Sequence, residues 1–470
     1  MDIENLSSIL PPALLARTGV PTASVALLSR ARVSTHVITT GPEDKDTLYQ
    51  ACSISKAITA LAVAKLVDQG HLAYSTLITD HLSQEVVDLV VDSKTKHLFR
   101  HLTVSHLLSH TSGLSQHGFP GYDVRDNLPT VSNVLAGVPP ANTPMVHFTT
   151  FPGAEYSYSG GGFVILQLFL EKLLRKPFAT LMHETVLEPL SMTRSYFDPL
   201  PEDEANYSVP YLTGYLKAPS GPYHFVELAA AGLWTTPSDL LKAIAAVQAS
   251  LDPTQDGFLS HATVQEMLKP VQYVRGGNSI AHGWFVTETA FGHTGGNEPG
   301  YGCYAVGFRP KDVDATPMKP AVAPWGSALA VMTNGTYSNQ AVWNITSAVF
   351  HLQTWPRLAA LPAGMVDGEW RAVSALTGTE IDASWKDWIG SWQGWKISDM
   401  DDEPAIQFGE LEAMALVAAA APVHLPESSR SVIALVVDGL ETQVTLTWNG
   451  DERVVILLQR ESKTVRRAVT

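Results

Sequence analysis

The sequence predicts a mixed α/β domain followed by a small C-terminal antiparallel β-barrel or sandwich. Two observations predict this fold class. Up to about residue 365, segments with apolar residues at helical spacing alternate with strand-like segments. Beyond residue 385 the chain consists of short strand-like runs separated by Gly, Pro, Asp or Asn turns. We therefore expect two domains, residues 1–365 and 385–470.

The first domain opens with strands and a long helix. Residues 24–41 have the alternating pattern of strands with a turn between them. Apolar residues at helical spacing from Ile58 to Leu66, closed by Gly70, predict a helix. A second helix is expected to begin after Thr103 as N-cap and to stop at Gly113.

The middle of the domain alternates between loop, helix and strand patterns. Residues 115–150 are rich in Pro, Gly, Asn and Asp, which predicts a long loop, either disordered or a lid over a site. Residues 161–174 predict another helix. The strand-like segments that follow are 282–296, 303–310 and 328–335.

The C-terminal segment contains evenly spaced strand-like runs, which is typical of a small antiparallel barrel. The predicted strands are Trp388–Ile397, Ala405–Phe408, Ala413–Ala418, Val432–Val437, Gln443–Trp448 and Val454–Gln459.

Composition excludes several classes of function. A net charge of -15 argues against nucleic acid and anionic membrane surfaces, which need concentrated Lys and Arg. Two distant cysteines indicate a reducing compartment, since a secreted framework needs more pairs. We find neither a secretory signal nor an apolar run of the ~20 residues that a membrane helix needs. We expect a soluble cytoplasmic protein, a monomer or a homodimer.

Ser53 and Lys56 are the central candidates for chemistry. A serine hydroxyl is a weak nucleophile that needs a neighbouring base. If Ser53 begins a helix, Lys56 lies one turn further on the same face, within reach of the serine oxygen. The helix N-terminus also provides backbone donors near a developing oxyanion. Taken alone, the pattern is weak, because Ser53 could be a helix cap and Lys56 a solvated lysine.

Two further short motifs fit the same chemistry. Tyr158 in Tyr-Ser-Gly can act as a base only if a cation lowers the pKa of its phenol, and Lys56 would supply that charge. His293-Thr294-Gly295-Gly296 ends a strand-like run, where small residues would let a substrate lie along the strand edge.

The order and spacing of these motifs resemble the serine β-lactamase and penicillin-binding-protein family, whose nucleophile motif is Ser-x-x-Lys. The likeness is greatest for the branch of class C β-lactamases, D-aminopeptidases, DD-carboxypeptidases, family VIII esterases and fungal acyltransferases. Connecting segments also resemble the family over about residues 20–350, namely LTVSHLLSHTSGL, LEPLSMTRSYF, AAAGLWTTPSDLLK and FGHTGGNEPGY. The resemblance implies a β-lactamase/transpeptidase-like fold, an antiparallel sheet flanked by helices plus an all-helical region. It also implies that the C-terminal barrel is lipocalin-like.

The resemblance implies a role for each matching residue. Ser53 matches the nucleophile, Lys56 its general-base partner and Tyr158 the tyrosine that passes the proton to the leaving group. The backbone N–H groups of Ser53 and Gly296 match the oxyanion hole. His293, Thr294, Gly295 and Gly160 match substrate-binding positions.

Two departures from the family pattern shift the expected substrate. Gly160 replaces the asparagine whose side chain binds the acylamino group of a β-lactam, and His293 replaces a lysine. An unperturbed histidine is mostly neutral at pH 7 and offers no permanent cation for a carboxylate. We therefore expect a serine hydrolase or acyltransferase acting on a small-molecule ester, thioester or amide, without a cofactor. The alternatives are a D-amino-acid peptidase or amidase, a β-lactamase, and a non-catalytic ligand-binding homologue.

Other residues permit competing interpretations. His106 and His110 have the i, i+4 spacing of a zinc-binding helix, but the glutamate of that motif is absent, and we expect no metal site. Cys52 is expected to be a packing residue and not a thiol nucleophile. The tryptophans Trp385, Trp388, Trp392 and Trp395 are expected to fill the barrel core.

Overall fold

The fold is that of a computed structural model. It describes residues 15, 18–29, 31–90, 94–212, 215–275, 277–310, 326–336, 338–353, 355, 381–419, 429–449, 452–458 and 463–468. The predicted domain boundary at residue 365 lies outside the described residues. No helix in these ranges is long and apolar enough to cross a membrane.

The described α-helices are, in chain order, α1 (Ile54–Asp68), α2 (Gln84–Val90), α3 (Val104–Leu108), α4 (Val131–Ala136), α5 (Gly160–Leu174), α6 (Phe178–Met182), α7 (Leu228–Ala231), α8 (Pro237–Ser250), α9 (His261–Met267) and α10 (Ser338–Leu352). Short 3₁₀ turns occupy Ile78–Asp80, Lys96–His101 and Ala383–Trp388, and one π-turn occupies His183–Leu187.

The described strands are β1 (Ala23–Ser29), β2 (Arg32–Ile38), β3 (Tyr49–Gln50), β4 (Tyr196–Phe197), β5 (Tyr211–Leu212), β6 (Leu216–Lys217), β7 (Leu233–Thr235), β8 (Gln272–Arg275), β9 (Asn278–Ile280), β10 (Phe285–Val286), β11 (Ala290–Asn297), β12 (Tyr301–Phe308), β13 (Ala328–Thr333), β14 (Gly390–Trp392), β15 (Trp395–Met400), β16 (Glu403–Phe408), β17 (Met414–Ala418), β18 (Ser429–Val437), β19 (Gln443–Asn449), β20 (Glu452–Leu458) and β21 (Lys463–Arg467).

The chain divides into two compact units. The first comprises Met1–Thr76, Gly118–Met145 and Phe163–Pro362, and the second Leu77–His117, Val146–Gly162 and Ala363–Thr470. Each is built from segments that are distant in sequence.

The first unit is organised around an antiparallel sheet with strand order β2-β1-β13-β12-β11-β10-β9-β8. Its central strands β12 and β13 are buried along their whole length, because helices pack on the sheet. Strand β1 is also almost fully buried, so the alternation predicted for it is wrong, whereas its place before a turn is confirmed. A small sheet, β3-β7-β4, leads into the start of α1.

The second unit contains α2, α3 and a nearly closed antiparallel barrel. Strands β14 to β21 pair in sequence order. The N–H of Arg467 donates to Gln393 Oε1 at 3.4 Å, which brings the last strand beside the first hairpin. Four tryptophans, each at most 2% exposed, fill the core as predicted: Trp385, Trp388, Trp392 and Trp395. The likeness to lipocalins stays a prediction.

The structure corrects three predicted elements and adds one strand that was not predicted. The helix after Thr103 ends at Leu108, because His110 adopts a left-handed φ of +54°. Segment 115–150 contains α4, capped by Thr130 through a capping box. The run 388–397 is split into two strands by a turn at Gln393 and Gly394. Strand β21 was not predicted, because its charged sequence, KTVRR, lacks an apolar run.

Candidate active site

Ser53 lies at the first turn of α1, immediately after a strained residue. Cys52 has a φ of +50°, in the left-handed region, which costs a non-glycine residue about 1–3 kcal/mol. Ser53 occupies the N-cap position of α1, but within the described residues no backbone N–H donates to its hydroxyl. The alternative that its side chain serves as a helix cap is therefore wrong, and the half-buried hydroxyl has another partner.

That partner is Lys56. Its Nζ donates to Ser53 Oγ at 3.1 Å and to the carbonyl oxygen of Ala230 at 2.8 Å. The side chain is only 2% exposed, so the solvated-lysine alternative is also wrong. Burial lowers the pKa of Lys56 from 10.5 to about 7, because a charged amine is poorly solvated there. An amine with this lowered pKa can lose its proton near neutral pH and then accept one.

The carbonyl that receives Lys56 belongs to α7, which is held on both sides. Gln167 accepts the N–H of Ala229 at 3.1 Å and donates to the carbonyl of Val226 at 3.1 Å. The hydroxyl of Thr59, on α1, donates to Ala229 O at 3.1 Å. This double attachment fixes the position of Ala230 and hence of the Lys56 amine.

Strand β11 reaches the nucleophile turn at Gly295. A Cβ at Gly295 would lie 2.7 Å from Cys52 Cβ and 2.8 Å from the oxygen of Ala51, so only glycine fits. Gly296 is exposed, and a Cβ there would meet only Tyr301 O at 3.8 Å. Beyond Gly292, the described residues give β11 no second strand partner opposite β12. The outer edge of this strand therefore offers backbone groups next to the nucleophile turn.

His293 lies in the interior beneath that edge. It is 1% exposed, and its ring centroid is 5.2 Å from that of Phe285. Burial and the charge of Lys56 lower the pKa of His293 to about 3, so the imidazole is neutral at pH 7. Thr294, one residue on, is partly exposed. Substrate binding by either side chain stays a prediction.

Tyr158 belongs to the second unit and is 9% exposed. Its ring contacts two imidazoles, with centroid distances of 4.1 Å to His110 and 4.6 Å to His117. His110 also contacts the backbone on both sides of the tyrosine: its carbonyl accepts the N–H of Ser157 at 2.7 Å, and its Nδ1 accepts the N–H of Ser159 at 3.1 Å.

Gly160 begins α5 and donates its N–H to Gln116 O at 2.8 Å. The preceding Ser159 is 1% exposed; its hydroxyl donates to Ser115 O and accepts the N–H of Gly162, both at 2.9 Å. In the Tyr-Ser-Gly motif the serine thus has a helix-capping role, and the glycine opens the helix.

The histidines and the cysteine considered for other chemistry have structural partners. Nδ1 of His106 accepts the N–H of Thr103 at 3.3 Å, and Nδ1 of His110 is bonded to Ser159. The described residues contain no group of three or more His, Cys, Asp or Glu placed to hold a metal. Burial raises the pKa of the Cys52 thiol well above its usual value, which opposes a thiolate nucleophile.

The structure thus brings Ser53, Lys56 and the Gly295–Gly296 edge together in the first unit, and places Tyr158 and Gly160 in the second. Our sequence reasoning missed three features of these sites. They are the Ala230 carbonyl, the contacts of His110 and His117 with Tyr158, and the side chain of Asn297. The poly-alanine turn at 229–231 carried no side-chain signal, and His110 was considered only as a metal ligand or a structural residue.

Two known proteins resemble part of this chain in sequence. Esterase EstB of Burkholderia gladioli is 26% identical over 281 residues, covering 52% of this chain and 66% of that protein. Protein flp of Staphylococcus aureus is 25% identical over 252 residues, covering 52% of this chain and 46% of that protein. The chain thus covers less than two thirds of either relative.

Solved structures share the fold at low identity. The octameric penicillin-binding protein homologue from Pyrococcus abyssi superposes with a TM-score of 0.58 at 19% identity, covering 99% of this chain and 100% of that one. A class C β-lactamase mutant gives a TM-score of 0.53 at 17% identity, covering 73% and 96% of the two chains. The family model described as Beta-lactamase matches residues 12–349, more than half of the sequence, and the chain therefore belongs to the beta-lactamase family.

Proposed function

We propose that this protein is a serine hydrolase or acyltransferase that acts on a small-molecule ester, thioester or amide through an acyl-enzyme on Ser53. The observation that carries the proposal is the 3.1 Å contact between Lys56 Nζ and Ser53 Oγ in a buried site. A buried amine with a pKa of about 7 is a base matched to neutral pH. A non-catalytic homologue would have no need to keep this pair assembled.

In the proposed first step, Ser53 Oγ attacks the substrate carbonyl and its proton passes to Lys56. The backbone N–H groups of Ser53 and Gly296 hold the oxyanion of the tetrahedral intermediate. Collapse breaks the bond to the leaving group, which takes a proton through Tyr158, and leaves the acyl group on Ser53. The role of Tyr158 is carried over from its motif. Water or an acceptor alcohol or amine then attacks the acyl-enzyme and restores the serine.

Two features favour an ester over a β-lactam. Gly160 provides no side-chain amide for an acylamino group, and the neutral, buried His293 provides no cation for the antibiotic carboxylate. The likeness to an esterase points the same way. D-Amino-acid amides and β-lactams are the alternative substrates.

A serine-directed fluorophosphonate tests the proposal. We expect intact-protein mass spectrometry to show one adduct, mapped to Ser53, and p-nitrophenyl ester hydrolysis that is lost in Ser53→Ala. Ser75→Ala, which removes an exposed hydroxyl, is the control and should label normally. The absence of an adduct together with unchanged hydrolysis in Ser53→Ala would contradict the proposal.

The choice of substrate is tested separately. We expect p-nitrophenyl esters to be cleaved with higher kcat/KM than nitrocefin or D-alanyl p-nitroanilide. Rapid turnover of nitrocefin would assign the protein to β-lactam hydrolysis, and a preference for the anilide would assign it to amide hydrolysis.

A further inference from the structure

Asn297, the last residue of β11, has a side chain aimed toward the catalytic elements of the first unit. Its Nδ2 donates to Gln50 Oε1 at 2.9 Å and to the carbonyl of Ala231 at 3.2 Å. It shares a face of the strand with Gly295, which abuts the nucleophile turn. The residue is buried but keeps 9% of its surface exposed, so it lies close to a surface that a ligand could reach.

The hydrogen-bond network fixes which amide atom is which. Ala231 O can only accept, so the atom of Asn297 that contacts it must be the nitrogen. Gln50 Nε2 donates to the carbonyl of Tyr223 at 2.7 Å, which leaves Gln50 Oε1 to face Asn297. Both hydrogens of Asn297 Nδ2 are therefore used within the protein.

The oxygen of the Asn297 amide differs from the nitrogen in its hydrogen bonding. No described residue donates a hydrogen bond to Asn297 Oδ1. This oxygen is also not fully buried, so it is in contact with solvent. An amide oxygen can accept two hydrogen bonds. Asn297 thus presents a fixed, unused acceptor at the surface.

This acceptor lies where three catalytic elements meet. Gln50 is three residues before Ser53, and Ala231 follows the carbonyl that holds Lys56. Asn297 itself follows Gly296, the expected oxyanion donor. A group bound at Asn297 Oδ1 would therefore adjoin the reacting carbonyl.

We propose that Asn297 is a substrate-binding residue whose Oδ1 accepts a hydrogen bond from an N–H or O–H of the acyl group. This proposal rests on the function proposed above. It narrows the substrate class to acyl groups with such a donor near the scissile carbonyl, such as N-acylamino or hydroxyacyl groups. Asn297 would then supply, from β11, an amide that the Tyr-Ser-Gly motif lacks.

Two isosteric esters test this contact. p-Nitrophenyl N-acetylglycinate carries an N–H, and p-nitrophenyl 4-oxopentanoate has a CH₂ in its place. We expect wild type to prefer the first in kcat/KM, and Asn297→Ala to reduce this preference by about 2- to 12-fold, the effect of one neutral hydrogen bond. Asn297→Ser, which loses less packing, should also reduce the preference for the N-acetylglycinate ester.

The control is Gln248→Ala, which removes a buried amide that bonds the carbonyls of Phe308 and Ser327. We expect it to lower stability while the preference between the two esters stays as in wild type. Equal losses on both esters in Asn297→Ala and Asn297→Ser, in protein with a folded thermal transition, would reduce Asn297 to a structural role and overturn the proposal. Failure of wild type to cleave either ester or to acylate Ser53 would refute the proposed function instead.

Discussion

The ring of His110 stacks on the ring of Tyr158, with centroids 4.1 Å apart and planes inclined by 27°. Together with the two hydrogen bonds from Ser157 and Ser159, this contact fixes the backbone on both sides of the tyrosine. His110 itself needs a left-handed φ of +54°, which few non-glycine residues adopt. His110 is thus a positioning residue for Tyr158.

Replacing His110 tests whether this geometry matters for catalysis. His110→Phe keeps a ring but leaves the buried Ser159 N–H without its acceptor, which costs about 1–3 kcal/mol. We expect kcat for p-nitrophenyl esters to fall about tenfold or more with little change in KM. His110→Asn, whose side chain offers an acceptor and tolerates positive φ, should recover part of the loss. Equal kcat in His110→Phe and wild type would show that the stacking alone is sufficient.

The lowered pKa of Lys56 predicts the pH dependence of acylation. The neutral amine is the base, so the burst of p-nitrophenol should accelerate as pH rises, with a midpoint near 7. Lys56→Arg keeps a cation that cannot lose its proton, and we expect the burst to slow by at least about 100-fold at every pH between 6 and 9. A burst rate independent of pH in wild type would rule out Lys56 as the titrating base.

The lowered pKa of Lys56 should also make the stability of the folded protein depend on pH. Because the folded pKa of Lys56 lies below the unfolded value of 10.5, the unfolded chain binds more protons between about 7 and 10.5. Burial of Lys56 therefore destabilises the folded protein increasingly as pH falls through that window, and stability rises with pH across it. Lys56→Met should show a weaker rise of melting temperature between pH 7 and 9 than wild type does.

Glu227 is a second buried titratable group, and it acts in the opposite direction. Tyr122 donates to its Oε1 at 3.1 Å, no described residue donates to Oε2, and burial raises its pKa from 4.5 to about 7. The folded protein therefore binds more protons than the unfolded chain, and stability should fall as pH rises from about 4.5 to 7. The shift corresponds to roughly 3 kcal/mol.

We expect Glu227→Gln to remove this loss, so that the mutant gains stability relative to wild type at pH 8 but not at pH 4.5. Urea unfolding at both values measures the difference, and comparison with wild type cancels the contribution of Lys56. A constant difference at the two pH values would mean that Glu227 does not titrate in this range.

The C-terminal barrel holds the segment that carries Tyr158 within the second unit. The ring of Phe151 meets Trp395 edge to face at 5.5 Å, and the N–H of Glu441 donates to the carbonyl of Thr149 at 2.8 Å. We expect Trp395→Ala to destabilise this unit by about 3–5 kcal/mol and to reduce kcat below the melting transition. Trp395→Phe should retain most of the stability and most of the wild-type kcat. If Trp395→Ala were destabilised but kept the wild-type kcat, the barrel would have no influence on catalysis.

Much of the first unit could be predicted, because its signals are local. Helical spacing marked α1 and α5, and the short motifs marked the Ser53–Lys56 pair, since three residues along a helix bring side chains to one face. The contacts of Ala230, Asn297 and His110 could not be predicted in this way. The hydrogen bonds Lys56–Ala230, Asn297–Ala231 and His110–Ser159 join residues 174, 66 and 49 positions apart, and each of the three uses a backbone group. Only the folded chain brings such groups together.

Gly295 and Gly296 are adjacent glycines with different structural requirements, and they allow a matched comparison. Alanine at Gly295 would place its Cβ 2.7 Å from both Cys303 Sγ and Cys52 Cβ, so β11 must move away from the nucleophile turn. We expect Gly295→Ala to cost about 1–3 kcal/mol of stability and to slow fluorophosphonate labelling of Ser53. At Gly296 there is room for a Cβ, and Gly296→Ala should unfold at the wild-type temperature. If both variants unfolded at the wild-type temperature, the close approach of β11 to Cys52 would not constrain residue 295. The edge of β11 would then not be what holds the oxyanion donor beside Ser53.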